Sequence, residues 1–126
     1  MSVERRRRAY RRGRWAEALC RLVLSLKGYR IVAADYRAKV GEIDIVARKG
    51  RTLAIVEVKA RETHANAAAA LLPRQRRRIA RASAAFLAHH PSLAALIVRF
   101  DVMLVRPWQL PRHVKNAWHL DERGGD

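Results

Sequence analysis

One cysteine in 126 residues, Cys20, excludes an internal disulfide and any cysteine-based zinc cluster. Apolar runs are short as well. The stretch Leu93-Ala94-Ala95-Leu96-Ile97-Val98 falls far below the roughly 20 residues that cross a bilayer and reads as the approach to a strand. The N-terminus is rich in arginine, but no apolar signal-peptide core follows it; the next apolar segment carries Glu17 and Arg21. These absences imply a cytoplasmic, reducing location and no membrane span. Acids are scarce too: 11 Asp and Glu stand against 27 Lys and Arg, a formal charge of +16 and a sequence pI near 11.6. A surface so basic needs a polyanion beside it, and nucleic acid is the commonest one. An anionic membrane surface is the weaker rival. Half of the residues are hydrophobic, enough to bury a core and to exclude global disorder.

The length suits one domain, with no internal repeat and no interdomain linker. Residues 1–8 read as a flexible basic arm, residues 9–120 as a single domain and residues 121–126 as a flexible tail. From Ala9 to Lys27 the spacing predicts a helix with Trp15, Leu19, Leu22 and Leu26 on its apolar stripe, widened by Val23 and Leu24. Gly28 is its expected C-cap. The period then changes to two, predicting strands at Tyr29–Tyr36, Glu42–Ala47 and Leu53–Lys59, the last two joined by a hairpin loop at Arg48-Lys49-Gly50-Arg51. Pro73 opens a second helix to His89, with Ile79, Ala82, Phe86 and Leu87 facing inward. A fourth strand follows at Ile97–Val105, and Val114–Leu120 adds a short edge strand.

Strand periodicity places Glu57 and Lys59 on one face, with Val56 and Val58 on the other. On the preceding strand Glu42 and Asp44 share a face, with Ile43 and Ile45 opposite. Pairing Arg48 with Arg51 sets Glu42 across from Glu57 and Asp44 across from Ile55. Asp44 and Glu57 then become diagonal neighbours, roughly 7–8 Å apart by Cα. A one-residue slip would scatter the acids and misplace the isoleucines. Carboxylates held this close repel unless a proton, a cation or a divalent metal joins them. Magnesium takes one or two carboxylates plus waters and phosphate oxygens, and a nearby lysine can stabilise charge developing on a phosphoryl oxygen. The parts suit phosphodiester hydrolysis. The plain alternative is a solvated strand face with cross-strand ion pairs.

Gly41-Glu42-Ile43-Asp44, followed after the hairpin by Val56-Glu57-Val58-Lys59-Ala60-Arg61, resembles the YraN-like family of restriction-endonuclease-like proteins, part of the PD-(D/E)xK nuclease superfamily. Gly13 and Glu17 are similar to that family's N-terminal helix motif, Gly28-Tyr29 to its helix-to-strand turn, and Arg99-Phe100-Asp101-Val102 to its fourth-strand motif. The resemblance implies an α/β fold with an αβββαβ core, a mixed sheet flanked by helices. It also implies Mg²⁺ or Mn²⁺ at Asp44 and Glu57, a charge-stabilising Lys59 and a further acid, Glu17, aimed at the metal. Glu17 has an ordinary alternative as the partner of Arg21 one turn on. Two departures stand out. The family's Lys-Gln pair on the second helix is replaced by Pro73-Arg74-Gln75-Arg76-Arg77-Arg78, where the position that answers to the glutamine is open and Gln75 is a candidate, and Thr63–Ala70 lacks an aromatic-glycine pair.

The five histidines show no metal-ligand spacing, and Asp101 reads as structural. Arg74, Arg77, Arg78 and Arg81 follow three- and four-residue steps on one face of the second helix. With Arg61 and Gln75 they are the expected nucleic-acid contacts, carrying salt-dependent affinity without sequence readout. The sequence thus points to a metal-dependent endonuclease acting on DNA in repair, recombination or DNA processing, structure-selective or weakly sequence-specific. The alternative is a non-catalytic nucleic-acid-binding protein on a nuclease fold, RNA- or ribosome-associated. A homodimer is left open.

Overall fold

The computed structural model describes residues 3–60 and 71–119, with side chains from Gly13 onward. Arg61, the Thr63–Ala70 segment, Leu120 and the 121–126 tail lie outside the described residues. The elements run α1 (Val3–Leu26), β1 (Arg30–Ala38), β2 (Gly41–Lys49), β3 (Thr52–Ala60), α2 (Pro73–His89), β4 (Ile97–Val105) and β5 (Arg112–Trp118), with one 3₁₀ turn at Pro91–Leu93. The protein is therefore α/β, and the αβββαβ order is present with β5 added. The five strands lie in sequence order in one sheet, antiparallel except for β3 beside β4. That parallel pair is possible because α2 supplies the crossover.

Two cores lie on the two faces of the sheet. Ile79, Ala82 and Phe86 of α2 pack with Ile43, Val46, Leu53, Ile55, Val102 and Leu104. Ala16, Cys20 and Leu24 of α1 pack with Ile45, Ala47, Ala54, Val56, Met103 and Val105. Burial on both faces explains why β3 reads as a nearly unbroken apolar run.

Helix α1 differs from expectation in two ways. It starts at Val3 rather than Ala9, because Arg is a good helix former and nothing before Gly13 breaks the ladder. Its buried stripe is Ala16, Cys20 and Leu24, whereas Trp15, Leu22 and Leu26 are exposed. The small side chains let the helix lie close to the sheet, and that closeness selects the face. Its end follows the sequence: Gly28 has φ 93°, and Tyr29 N–H donates to Leu24 C=O at 2.9 Å while Gly28 N–H donates to Ser25 C=O at 3.0 Å.

The hairpin register also differs. Lys49 pairs with Thr52 and Ile45 with Val56, so the loop is Gly50-Arg51, with Gly50 at φ 60°. Paired positions are displaced by two residues from the Arg48–Arg51 pairing. A two-residue shift preserves the face of every β3 side chain, so the alternation could not distinguish the registers. Continuing the observed pairing by one step brings Asp44 opposite Glu57 rather than Ile55. β2 departs from regular alternation just there: Ile43 joins the α2 core and Ile45 the α1 core, not one shared face.

Candidate active site

The site is built where β2 and β3 part. Ladder pairing ends at Ile45 and Val56, and Val58 N–H donates instead to Asp44 Oδ2 at 2.8 Å. The Asp44 side chain thus takes the place of a backbone partner and is fixed in direction by it. Gly41, at the start of β2, touches the α2 backbone; an added Cβ would lie 2.5 Å from the Arg78 carbonyl oxygen. This close approach brings α2 over the parted strands.

Three carboxylates converge from three elements. Burial, together with a hydrogen bond that the protonated Glu57 carboxyl donates to Asp44 and the charge of Asp44, pushes the Glu57 carboxyl up to about 10, opposed by Lys59. Burial and Asp44 likewise raise Glu17, on α1, to about 7, with Asp35 adding to the rise and Arg21 opposing it. Glu57 and Glu17 both turn toward Asp44, an arrangement that needs a bridging proton or a bound cation. Beneath them burial, then Asp44 and Glu17, push the Cys20 thiol up to about 12, so it supplies no nucleophile.

Two openings flank this cluster. A cleft of about 140 Å³ on the α2 side is lined by Glu42, Glu57, Lys59, Leu71, Gln75, Arg78 and Ile79. A groove of about 460 Å³ on the α1 side is lined by Gly13, Arg14, Glu17, Arg21, Ala34, Asp35, Arg37, Glu42 and Asp44. The acids therefore form the partition between two solvent-reachable spaces, each edged by arginine.

Asp44, Glu57, Lys59 and Glu17 are thus brought together. Of the expected nucleic-acid contacts, Gln75 and Arg78 line the cleft, while Arg74, Arg77 and Arg81 do not. Gln75 has a local task as well, since Leu72 N–H donates to its Oε1 at 3.0 Å and caps α2. Asp35 escaped the sequence reading. It sits on β1 with φ 51°, facing the groove and paired to Arg37 at 3.4 Å. An acid inside an apolar strand was the available signal.

Two carboxylates with open space beside them meet what magnesium asks of protein, the rest of its shell coming from waters and phosphate oxygens. Among the described residues, however, no three His, Cys, Asp or Glu donors are arranged around a common point for an ion. The donor set fits a metal held by Asp44 and Glu57 once their bridging protons leave.

Residues 16–105 match the model of uncharacterised protein family UPF0102, which is the YraN family of the sequence resemblance. The chain is similar to a UPF0102 protein of Paramagnetospirillum magneticum, 52% identical over 117 residues covering 90% of this chain and 91% of the relative. It is similar also to a UPF0102 protein of Parvibaculum lavamentivorans, 54% identical over 110 residues covering 87% and 83%. A third, from Methylocella silvestris, is 49% identical over 116 residues covering 92% and 94%.

Proposed function

This chain belongs to family UPF0102, and from that premise and the geometry of the partition we propose a divalent-metal-dependent endonuclease that hydrolyses phosphodiester bonds in DNA. The observation that carries the reading is the pair Asp44–Glu57, forced together at the parting of β2 and β3 with Lys59 beside it. Acids placed for structure alone find cationic partners; these are held against each other, with the Glu57 carboxyl raised, and are open to solvent on two sides.

Asp44 and Glu57 would hold Mg²⁺ or Mn²⁺, which supplies an activated water and polarises the phosphoryl oxygen. The remaining work falls to this chain's own residues. Val58 N–H keeps Asp44 aimed at the partition. Lys59 places positive charge where the phosphorane would gather negative charge. Glu17, titrating near neutrality, can accept or return a proton at its carboxyl within the groove. Arg78 and Gln75 edge the cleft where backbone phosphates would run. Nothing resembles a base-reading module, so selectivity for DNA structure exceeds selectivity for sequence. The formal charge of +16 supports a polyanionic substrate.

The test is cleavage of branched, nicked and single-stranded DNA, and of RNA, with Mg²⁺ or Mn²⁺. Asp44→Ala and Lys59→Ala should each lower the rate at least about 100-fold. Equal cleavage by wild type and variants would sink the assigned site. A second reading, a nucleic-acid-binding protein on this fold without turnover, has its own observation in the formal charge of +16, which serves binding whether or not cleavage follows. Binding without cleavage across all substrates and metals would decide for it.

A further inference from the structure

The β4–β5 connection, Arg106-Pro107-Trp108-Gln109-Leu110, contains a tight, exposed turn. Gln109 N–H donates to Arg106 C=O at 3.4 Å, and Arg106 Nη2 donates to Gln109 Oε1 at 2.7 Å, closing one turn twice. Proline stands second and a residue of positive φ third, the order of a type II turn. That third position favours glycine or asparagine, yet it holds Trp108 at φ 62°. A bulky aromatic in left-handed backbone is a true outlier, and such outliers persist where they serve a site. Trp108 is fully exposed (102% of its reference surface), and Leu110 is 83% exposed. The turn thus holds two large apolar side chains in water, one of them at the expense of backbone strain.

Topology says where this tip emerges. Glu57 pairs with Val102, Lys59 with Leu104 and Ala60 with Val105 in the parallel β3–β4 ladder. The chain leaves β4 beside Ala60, one residue beyond Lys59, at the same sheet end as the acid partition. Arg106 precedes the tip and Arg112 follows it. Trp108 thus stands in the chain between Arg106 and Arg112, at the sheet end to which the acid-bearing β3 also runs. An exposed ring with arginines on either side in sequence has the composition of a single-strand stacking platform, in which cations follow the backbone and rings take bases.

We propose that the Trp108 tip stacks on an unpaired nucleobase at the site mouth and is the element that selects nucleic acid with unstacked bases. This rests on the nucleic-acid reading above. In duplex DNA every base face is already occupied by its neighbours, so the ring gains a partner only at gaps, flaps, junctions or single strands. Stacking is indifferent to base identity, which suits a protein with no base-reading module.

The full chain is assayed in chelator by fluorescence anisotropy against oligothymidine, a flapped duplex and a blunt duplex, at one salt concentration. Trp108→Ala should weaken binding to oligothymidine and flap by about 10-fold while leaving the blunt duplex within about 2-fold, and Trp108→Phe should restore most of the loss. Equal loss on all three ligands, or none, overturns the proposal while leaving the nuclease reading intact. No binding of any ligand by wild type overturns the proposal, and the cleavage assay with Mg²⁺ or Mn²⁺ decides the nuclease reading separately. Trp108-dependent binding to phosphatidylserine vesicles, or a Trp108-dependent dimer in sedimentation, with the ligand preference unchanged, assigns the tip to a lipid surface or a second copy instead.

Discussion

Asp101→Asn replaces one oxygen by an amide and should be among the most destabilising single changes in the protein. The Asp101 carboxylate is completely buried on β4 and accepts four hydrogen bonds. Its Oδ1 receives Arg99 Nε at 2.8 Å and Asn116 N–H at 2.9 Å; its Oδ2 receives Arg99 Nη2 and His113 Nε2, both at 2.8 Å. Whichever way an asparagine amide turns, its NH₂ group meets two donors. Facing His113 brings no escape: turning Nε2 into an acceptor would put a proton on Nδ1, which already accepts from Lys27 Nζ at 2.7 Å. The half-buried Arg99 guanidinium loses its counter-charge as well, keeping only Tyr29 OH at 2.8 Å. Breaking a buried pair from one side costs about 3–5 kcal/mol. Urea unfolding followed by circular dichroism measures this directly, and the midpoint should fall with m unchanged. A loss below about 1 kcal/mol would refute the reasoning, because the network would then be solvated or slack.

The same carboxyl sets an acid limit. Burial pushes it up, but the bonds from His113, Arg99 and Asn116 outweigh burial and hold it below its usual 3.8. Its contribution is therefore complete above that value and disappears as pH falls through the lower, folded one. Acid unfolding should begin below about pH 4, and in Asp101→Asn that step should vanish.

Three other outcomes are expected. Glu17 and Glu57 are raised from 4.5 to about 7 and about 10, so stability falls as pH rises above 4.5; millimolar Mn²⁺ should lift Tm more at about pH 8 than at about pH 6, and calorimetry in buffers of different ionisation enthalpy should detect one to two protons released per ion, roughly. Lys59→Met should abolish cleavage while leaving Mn²⁺ affinity within about 3-fold by calorimetry, since an ammonium group cannot be a ligand. Gly41→Ala sets a methyl 2.5 Å from the Arg78 carbonyl and should cost about 1–3 kcal/mol in urea unfolding.

How far the sequence went depended on the kind of physics at each place. Pro73–His89 and Ile97–Val105 were read to the residue, because proline, periodicity and burial all agree there. On α1 the expected Leu19, Val23 and Leu24 do meet the core, but hydrophobic size also points to Trp15, Leu22 and Leu26, whereas the helix buries Ala16 and Cys20. Grouping Glu57 with Asp44 needed only parity, which any even register shift respects. That Val58 N–H turns to the Asp44 side chain follows from a ladder ending at Ile45, an event no alternation encodes. Asp35 and the Trp108 turn escaped for a related reason: both depend on positive φ at residues other than glycine.

The two acidic centres of this sheet also separate structure from function on physical grounds. Asp101 is the more deeply buried, yet every lone pair it turns inward meets a donor, and its carboxyl is held low. Glu57 lies less deeply, beside open space, and meets another carboxylate, so its carboxyl is driven high. Burial alone would have ranked them in the wrong order as functional candidates. What distinguishes them is whether the protein itself completes the charge balance. At Asp101 it does so with Arg99, while His113 and Asn116 fill the remaining lone pairs, and substitution should cost folding. At Asp44 and Glu57 the balance is left to protons, so a cation from outside can displace them, and substitution of Glu57 by Gln should stabilise the metal-free fold at neutral pH while lowering Mn²⁺ affinity. Loss of stability in that variant, with unchanged Mn²⁺ affinity, would mean that the pair is structural after all.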